Sequence, residues 1–253
     1  MRKKQVRWWW IVLAIVLMLS AALVVWIQPM TAGESTLEIL RADPVERMTS
    51  TDDGSILTFC PLEPTNAQAV IFYPGARVDY RAYTPAITQI TQAGVPVVVM
   101  RMPLNFAFLA LNRADEIINE AAFVCENEIT DWYLGGHSLG GAMAAQYAAD
   151  HQDEVTGLIL WGSYPGSNLD LTDASLRVLS IYGSEDGGVE EIRSSQSRLP
   201  LDAIVHEISG GNHAQFGDYG IQAGDGEAVI SPAEQWDIVA EQTLSFLQTI
   251  SEE

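Results

Sequence analysis

Residues 136–140 are Gly136-His137-Ser138-Leu139-Gly140, between a strand-like run at 132–134 and a run of small residues at 141–149 that is typical of a helix. A Gly-x-Ser-x-Gly sequence at such a join predicts a nucleophile elbow. This turn is so tight that the flanking positions must be small, and it holds the serine hydroxyl above the edge of a sheet. Ser138 is therefore the candidate nucleophile.

Outward from this motif, strand-like and helix-like runs alternate along the chain. The strand-like runs are apolar throughout, which indicates strands that are covered on both faces of a parallel sheet. The sequence thus predicts an α/β fold with a mostly parallel sheet and helices on both faces. The predicted strands are 45–49, 55–59, 69–73, 95–100, 132–134, 155–161, 178–182 and 203–208, and the predicted helices are 83–93, 114–125, 141–150 and 233–250.

In parallel sheets, functional residues gather in the loops that leave the carboxyl ends of the strands. His213 follows the strand 203–208 and a Gly-Gly pair, where a general base can reach back over the sheet. Asp186 follows the strand 178–182 and is the candidate acid that orients this imidazole, with Glu185 as the alternative. The order Ser138, Asp186, His213 is the one expected of an α/β-hydrolase.

Acyl transfer at a serine also needs two N–H donors for the developing oxyanion. The strand 69–73 ends in Pro74-Gly75, and Gly75 allows a sharp turn that directs the next amide, that of Ala76, into the site. The second candidate donor is the amide of Leu139, at the helix start where N–H groups are free. Ala76 and Leu139 are therefore assigned to the oxyanion hole.

These motifs together resemble the α/β-hydrolases, and more narrowly the α/β-hydrolase fold-5 family with its dienelactone-hydrolase-like and esterase relatives. The resemblance implies Ser138 as nucleophile, His213 as base and Asp186 as acid, and it indicates the catalytic machinery but not the substrate. We expect a serine hydrolase that cleaves carboxylic esters through an acyl-enzyme, without a cofactor. Relatives often carry glycine where this chain has Ala76, a change that a backbone donor tolerates. The matching segments are 73–79, 83–85, 101–104, 135–141 and 210–220.

The residues leave two other functions open: a catalytically silent cell-surface binding module and an acyltransferase with an acceptor other than water. Only residues 162–177 join two predicted strands at the point where many relatives insert a helical cap. An open site for small or protruding esters is therefore expected. Histidines and cysteines are too few and too scattered for a zinc site, so no metal is expected.

The N-terminal part of the chain has a different composition. A basic segment at 1–7 precedes an apolar run at 8–27 that is interrupted by one polar residue, Ser20. This pattern predicts a transmembrane anchor with a cytoplasmic N-terminus, a tether at 28–44 and an extracytoplasmic hydrolase domain at 45–253. A cleaved signal peptide and secretion are the alternative.

The remainder of the chain is strongly acidic, since all 33 acidic residues and only nine arginines follow residue 28. Such a surface disfavours nucleic acid as a partner. Cys60 and Cys125 both lie in the exported part, at the lower edge of the predicted sheet, and form either a disulfide or two separate buried thiols. Nothing in the sequence fixes the oligomeric state.

Overall fold

The computed structural model describes residues 3–42, 48–64, 67–119 and 123–248. Within them, eight strands form one sheet, two short strands form a hairpin, and helices cover the sheet on both faces. The elements are α1 (Lys3–Trp26), α2 (Glu34–Arg41), β1 (Met48–Asp52), β2 (Ile56–Pro61), β3 (Gln68–Tyr73), α3 (Thr84–Gln92), β4 (Val97–Met100), α4 (Asp115–Ile118), β5 (Phe123–Val124), β6 (Asn127–Glu128), β7 (Asp131–His137), α5 (Leu139–Asp150), β8 (Gly157–Trp161), β9 (Arg177–Gly183), α6 (Val189–Ser195), β10 (Ile204–Ile208) and α7 (Pro232–Gln248).

The large sheet has the strand order β1-β2-β4-β3-β7-β8-β9-β10. The six strands from β4 to β10 are parallel, and β1 and β2 are antiparallel at one side. The chain runs outward from β3 to β4 and returns to β7 on the other side of β3. The carboxyl ends of β3 and β7 therefore lie side by side at a topological switch point, where α/β sheets bind their ligands.

The continuous apolar strands are central because both of their faces are covered. Every residue of β3, β4 and β8 is buried. One core cluster packs between the sheet and α3 and α7, and a second packs between the sheet and α5. The prediction of a mostly parallel α/β sheet covered on both faces is confirmed.

The helix predicted at 114–125 is confirmed for one turn at its start and is wrong for residues 123–125. Only α4 is helical there, and residues 120–122 lie outside the described residues. The remainder forms the β5–β6 hairpin, whose turn residues Cys125 and Glu126 have φ values of 58° and 60°. Short apolar runs do not distinguish strand from helix by spacing. Of the predicted elements at 45–49 and 233–250, positions 45–47 and 249–250 also lie outside the described residues.

A disulfide joins Cys60 in β2 to Cys125 in the hairpin turn, with the Cα atoms 5.3 Å apart. Because β2 runs antiparallel to β4, Cys60 lies at the amino edge of the parallel strands. The structure thus contains the cross-link that the sequence left open, at the lower edge of the sheet. It also explains the hairpin, since the link holds the residues around Cys125 against β2.

The N-terminal region differs from the prediction in two ways. No helix within the described residues is long and apolar enough to cross a membrane, so the anchor predicted at 8–27 is not supported. The predicted tether at 28–44 is docked along its described part. Met30 pairs with Val78, and the Gly33 N–H donates to the carbonyl of Asp218 at 2.7 Å. A Cβ at position 33 would lie 2.2 Å from the Asp218 carboxylate, so a larger residue there would displace that side chain.

Candidate active site

The turn between β7 and α5 has the geometry that its sequence predicts. Ser138 has φ 54° and ψ −127°, a conformation that an L-residue adopts only under strain. A Cβ at Gly140 would lie 2.1 Å from the carbonyl oxygen of Tyr73, and one at Gly136 would lie 2.6 Å from the backbone of Gly140. Both glycines are therefore needed for the turn, which places Ser138 at the carboxyl edge of the sheet.

His213 and Asp186 form a hydrogen-bonded pair beside this turn. His213 Nδ1 lies 2.8 Å from Asp186 Oδ2, and the other carboxylate oxygen accepts the N–H of Gly188 at 2.7 Å. Asp186 is only 3% exposed. We assign the proton to His213 Nδ1, because the carboxylate is an acceptor, and this leaves Nε2 free to accept a proton.

The alternative acid, Glu185, has a different partner. Its carboxylate accepts a hydrogen bond from Ser184 Oγ at 2.9 Å, and its backbone carbonyl accepts the N–H of Gly226. The side chain that contacts His213 is that of Asp186. The structure therefore brings Asp186 and His213 together, while the side chain of Glu185, on the same loop, contacts Ser184 instead.

The two candidate oxyanion donors lie at adjacent strand ends. Leu139 is the first residue of α5, and Ala76 follows β3. Across the described residues, neither N–H has a hydrogen-bond acceptor, whereas the N–H groups flanking Ala76 are bonded: Gly75 donates to Tyr83 Oη and Arg77 to the carbonyl of Asn105. Both amides thus lack an acceptor among the described residues, and of the two residues Leu139 lines the cavity that contains Ser138 whereas Ala76 does not.

Ser138, Leu139, Asp186 and His213 line one cavity of about 390 Å³. Its walls come from the loops that follow β7, β8, β9 and β10, which are four neighbouring strands. Among the described lining residues there are two acids, Asp186 and Asp225, and no lysine or arginine. The other lining residues are Ala142, Gly162, Ser163, Tyr164, Gly166, Gly187, Gly188, Ile192, Gln222, Ala223 and Gly224.

Asp225 is a site residue that the sequence did not reveal. Its carboxylate accepts four backbone hydrogen bonds: one from the adjacent Gly226, and three from other segments, namely from His213 at 3.1 Å, Gly187 at 3.2 Å and Ala214 at 2.7 Å. It therefore fastens the loop of the histidine to the loop of the acid. The only sequence signal is an aspartate in a glycine-rich segment, which is also the composition of an ordinary surface turn.

His137 is the second such residue. The sequence presents it as the variable position of the elbow, yet the structure buries it completely. Its ring centroid lies 4.5 Å from that of His213. Burial lowers the pKa of His137 well below its usual 6.5, so this imidazole is neutral.

A parallel sheet with a strained serine, a histidine and a buried aspartate at its carboxyl edge defines the α/β-hydrolase class. The chain belongs to the alpha/beta hydrolase family, whose model matches residues 69–237. The resemblance drawn from the sequence motifs is thereby confirmed.

Solved structures share this fold at low identity. An esterase from Pyrobaculum calidifontis is 13% identical, with a TM-score of 0.61 over 86% of this chain and 90% of its own. A dienelactone hydrolase from Anabaena variabilis is 14% identical, with a TM-score of 0.57 over 79% and 99%. Est1E from Butyrivibrio proteoclasticus, solved with ferulic acid, is 14% identical, with a TM-score of 0.55 over 80% and 97%. No curated protein matches the chain.

Proposed function

We propose that the protein is a serine esterase that hydrolyses small, uncharged carboxylic esters through an acyl-enzyme on Ser138. The observation that carries the proposal is the 2.8 Å contact between His213 and Asp186, in the same cavity as the strained Ser138. Esterases among the structural neighbours agree with this chemistry, but they share only the fold.

The proposed reaction assigns one role to each group. His213 Nε2 takes the proton of Ser138 as the hydroxyl attacks the ester carbonyl, while Asp186 stabilises the imidazolium that forms. The amides of Ala76 and Leu139 donate to the oxyanion of the tetrahedral intermediate. The alcohol then leaves with a proton from His213, and water repeats these steps on the acyl-enzyme.

The cavity supports the choice of substrate. Between β8 and β9 the chain forms a loop with turns and no helix, so no helical cap is inserted at this point. With two acids and no cation among its described lining residues, the cavity favours neutral esters over esters that carry a second carboxylate. A cavity of about 390 Å³ suits a small acyl group.

We further propose that the hydrolase domain lies outside the cytoplasm. The Cys60–Cys125 disulfide supports this location, because such bonds persist in oxidising compartments. Fractionation of the cell, with blotting for the domain, tests it and distinguishes a membrane-bound from a released form. A fully cytoplasmic domain with reduced cysteines would contradict it.

The enzymatic proposal is tested with a fluorophosphonate probe and a panel of esters. We expect the probe to label the full-length protein and Ser138→Ala to abolish labelling. The matched control is Ser180→Ala, which removes a buried hydroxyl from β9.

Acetate and butyrate esters should be cleaved faster than palmitate esters, and neutral esters faster than hemisuccinates. Absence of both labelling and hydrolysis would contradict the proposal. Transfer of the acyl group to added alcohols in place of water would identify the protein as an acyltransferase.

A further inference from the structure

Two fully buried side chains lie beneath the candidate active site and contact each other. Tyr83 ends the turn before α3, and His137 is the last residue of β7, immediately before Ser138. Tyr83 Oη lies 3.0 Å from His137 Nδ1. The N–H of Gly75, in the loop that follows β3, donates to the same oxygen at 2.8 Å. The contact therefore joins the ends of β3 and β7.

The directions of these hydrogen bonds follow from the partners. The Gly75 N–H can only donate, so the Tyr83 hydroxyl accepts from it and donates its own proton to His137 Nδ1. We therefore assign the proton of the His137 ring to Nε2. Burial raises the pKa of Tyr83 and lowers that of His137, so both side chains are neutral and the assignment holds through the physiological range.

The pair is packed tightly against the loop that carries Ala76. A Cβ at Gly75 would lie 2.7 Å from His137 Nδ1 and 3.1 Å from Tyr83 Oη. The backbone of Gly75 thus rests directly on the two polar atoms. Any displacement of the pair would move the adjacent amide of Ala76, one of the two candidate oxyanion donors.

The other side of the His137 ring faces the loop that follows β10 and carries His213, called here the histidine loop. Its ring packs against those of His213 and Phe216 at centroid distances of 4.5 and 5.6 Å. The backbone of His213 lies near the His137 ring and partly opposes the lowering of its pKa by burial. The buried Nε2 of His137 nevertheless has no acceptor at hydrogen-bond geometry among the described residues. His137 therefore contacts the histidine loop through packing and a weak electrostatic interaction.

We propose that Tyr83 and His137 form a neutral positioning relay for the proposed esterase reaction. The relay runs from Gly75 through Tyr83 to His137. It holds the loop that carries Ala76 in a fixed position relative to Ser138 and His213. Neither side chain touches the substrate. The inference rests on the proposed function, because the relay matters only if Ala76 stabilises an oxyanion.

Removal of the Tyr83 hydroxyl affects the transition state more than the ground state. In Tyr83→Phe the ring still fills its site, but the Gly75 N–H loses its acceptor and the loop is free to shift. Removal of one oxyanion donor lowers kcat by about 10²–10³-fold in other enzymes, so a displaced donor should lower it by about 10-fold or more. KM should change little, because the substrate does not contact the relay.

The matched control is Tyr133→Phe. Tyr133 is equally buried, lies in β7 like His137, and its hydroxyl accepts a bond from Arg177 at 3.0 Å, away from the site. The experiment measures kcat, KM, Tm and the affinity for an alkyl boronic acid, which mimics the tetrahedral intermediate at Ser138. In Tyr83→Phe, kcat and boronic-acid affinity should fall by the same factor, while KM matches that of Tyr133→Phe. The Tm values establish that both variants are folded at the assay temperature.

Equal kcat in the two phenylalanine variants would overturn the relay, and so would a loss in kcat without a parallel loss of boronic-acid affinity. If Tyr83→Phe does not fold, His137→Asn and His137→Leu replace it. Asparagine offers an acceptor near the position of Nδ1, so kcat should be at least severalfold higher in His137→Asn, and equal kcat would overturn the relay. A wild-type protein that is unlabelled by fluorophosphonate and inactive on esters defeats the proposed function itself, and the relay with it.

Discussion

At the amino edge of the sheet, polar groups are paired with one another. At the carboxyl edge, by contrast, several polar groups face the cavity that contains Ser138. Arg177 begins β9 and donates to Tyr133 Oη at 3.0 Å and to the carbonyl of Phe246 at 2.8 Å. The Cys60–Cys125 disulfide closes the same edge. The amides of Ala76 and Leu139, by contrast, have no acceptor within the described residues.

The two edges therefore contribute differently: the paired groups of the amino edge stabilise the fold, and the unpaired groups of the carboxyl edge are the candidates for reaction. Strained backbone and unpaired polar groups at a site cost stability, and the rest of the fold must offset that cost. Here Ser138 has a strained conformation at the carboxyl edge, while one disulfide and the hydrogen bonds of Arg177 stabilise the amino edge. Substitutions at the carboxyl edge should therefore change activity more than stability, and those at the amino edge should do the reverse.

The largest effect is expected for Ser138→Ala and His213→Ala. Each should lower kcat/KM for a short-chain ester by about 10⁴-fold or more, because the groups of such a site act as a unit. Tm should be unchanged in Ser138→Ala and lower in His213→Ala, because the buried Asp186 and the ring of His137 then lose a partner. Steady-state kinetics and thermal unfolding measure both quantities. A double variant no less active than either single variant would support the coupling, whereas activity losses that multiply would contradict it.

The second effect concerns the amino edge. Cys60 and Cys125 are separated by 65 residues, so replacing both by serine should lower the free energy of unfolding by about 4 kcal/mol. Esterase activity well below Tm should be retained, because the disulfide lies at the edge opposite Ser138. Urea unfolding with and without dithiothreitol measures the loss. A drop in kcat with unchanged stability would reverse the assignment of roles to the two edges.

How far the sequence predicts each edge follows from the range of the interactions. The elbow is local, since the positions of Gly136, Ser138 and Gly140 determine the turn by sterics alone. The apolar strands likewise predict a parallel sheet. The hairpin around Cys125 was missed because its pairing depends on Cys60, far away in the chain.

The roles of His137 and Asp225 were missed for the same reason. His137 is defined by Tyr83 and Gly75, which come from a different part of the chain. Asp225 is defined by the backbone N–H groups of Gly187, on another loop, and of His213, earlier on its own loop, and backbone donors leave no signal in residue type. Spacing predicts which strand ends carry polar residues, but it does not predict which polar residues will meet.

The third effect is a pH dependence at the carboxyl edge. The pKa of His137 is lowered in the folded state, so the unfolded chain binds more protons below the usual pKa of 6.5. Stability is therefore lost as the pH falls through 6.5, with a slope of up to about 1.4 kcal/mol per pH unit from this residue. Urea unfolding between pH 5 and 8 should show a shallower slope for His137→Asn than for the wild type. Identical slopes would show that His137 is not held neutral.

The smallest effect is expected for Asp225→Asn. The amide keeps one acceptor oxygen but loses the charge and the second acceptor, so at least one of the bonds from His213, Gly187 and Ala214 is lost. Because Asp225 positions the loop of His213 and does not transfer the proton itself, kcat should fall by only about 10-fold, less than the roughly 10²–10⁴-fold that a general base contributes in full. The dependence of kcat on pH should keep its shape, because the Asp186–His213 pair is intact.

Asp170→Asn is the matched control, since the Asp170 carboxylate also accepts a backbone N–H but lies outside the cavity lining. A loss as large as that of His213→Ala would assign Asp225 to the chemistry itself, and no loss beyond that of Asp170→Asn would show that the histidine loop is held without it.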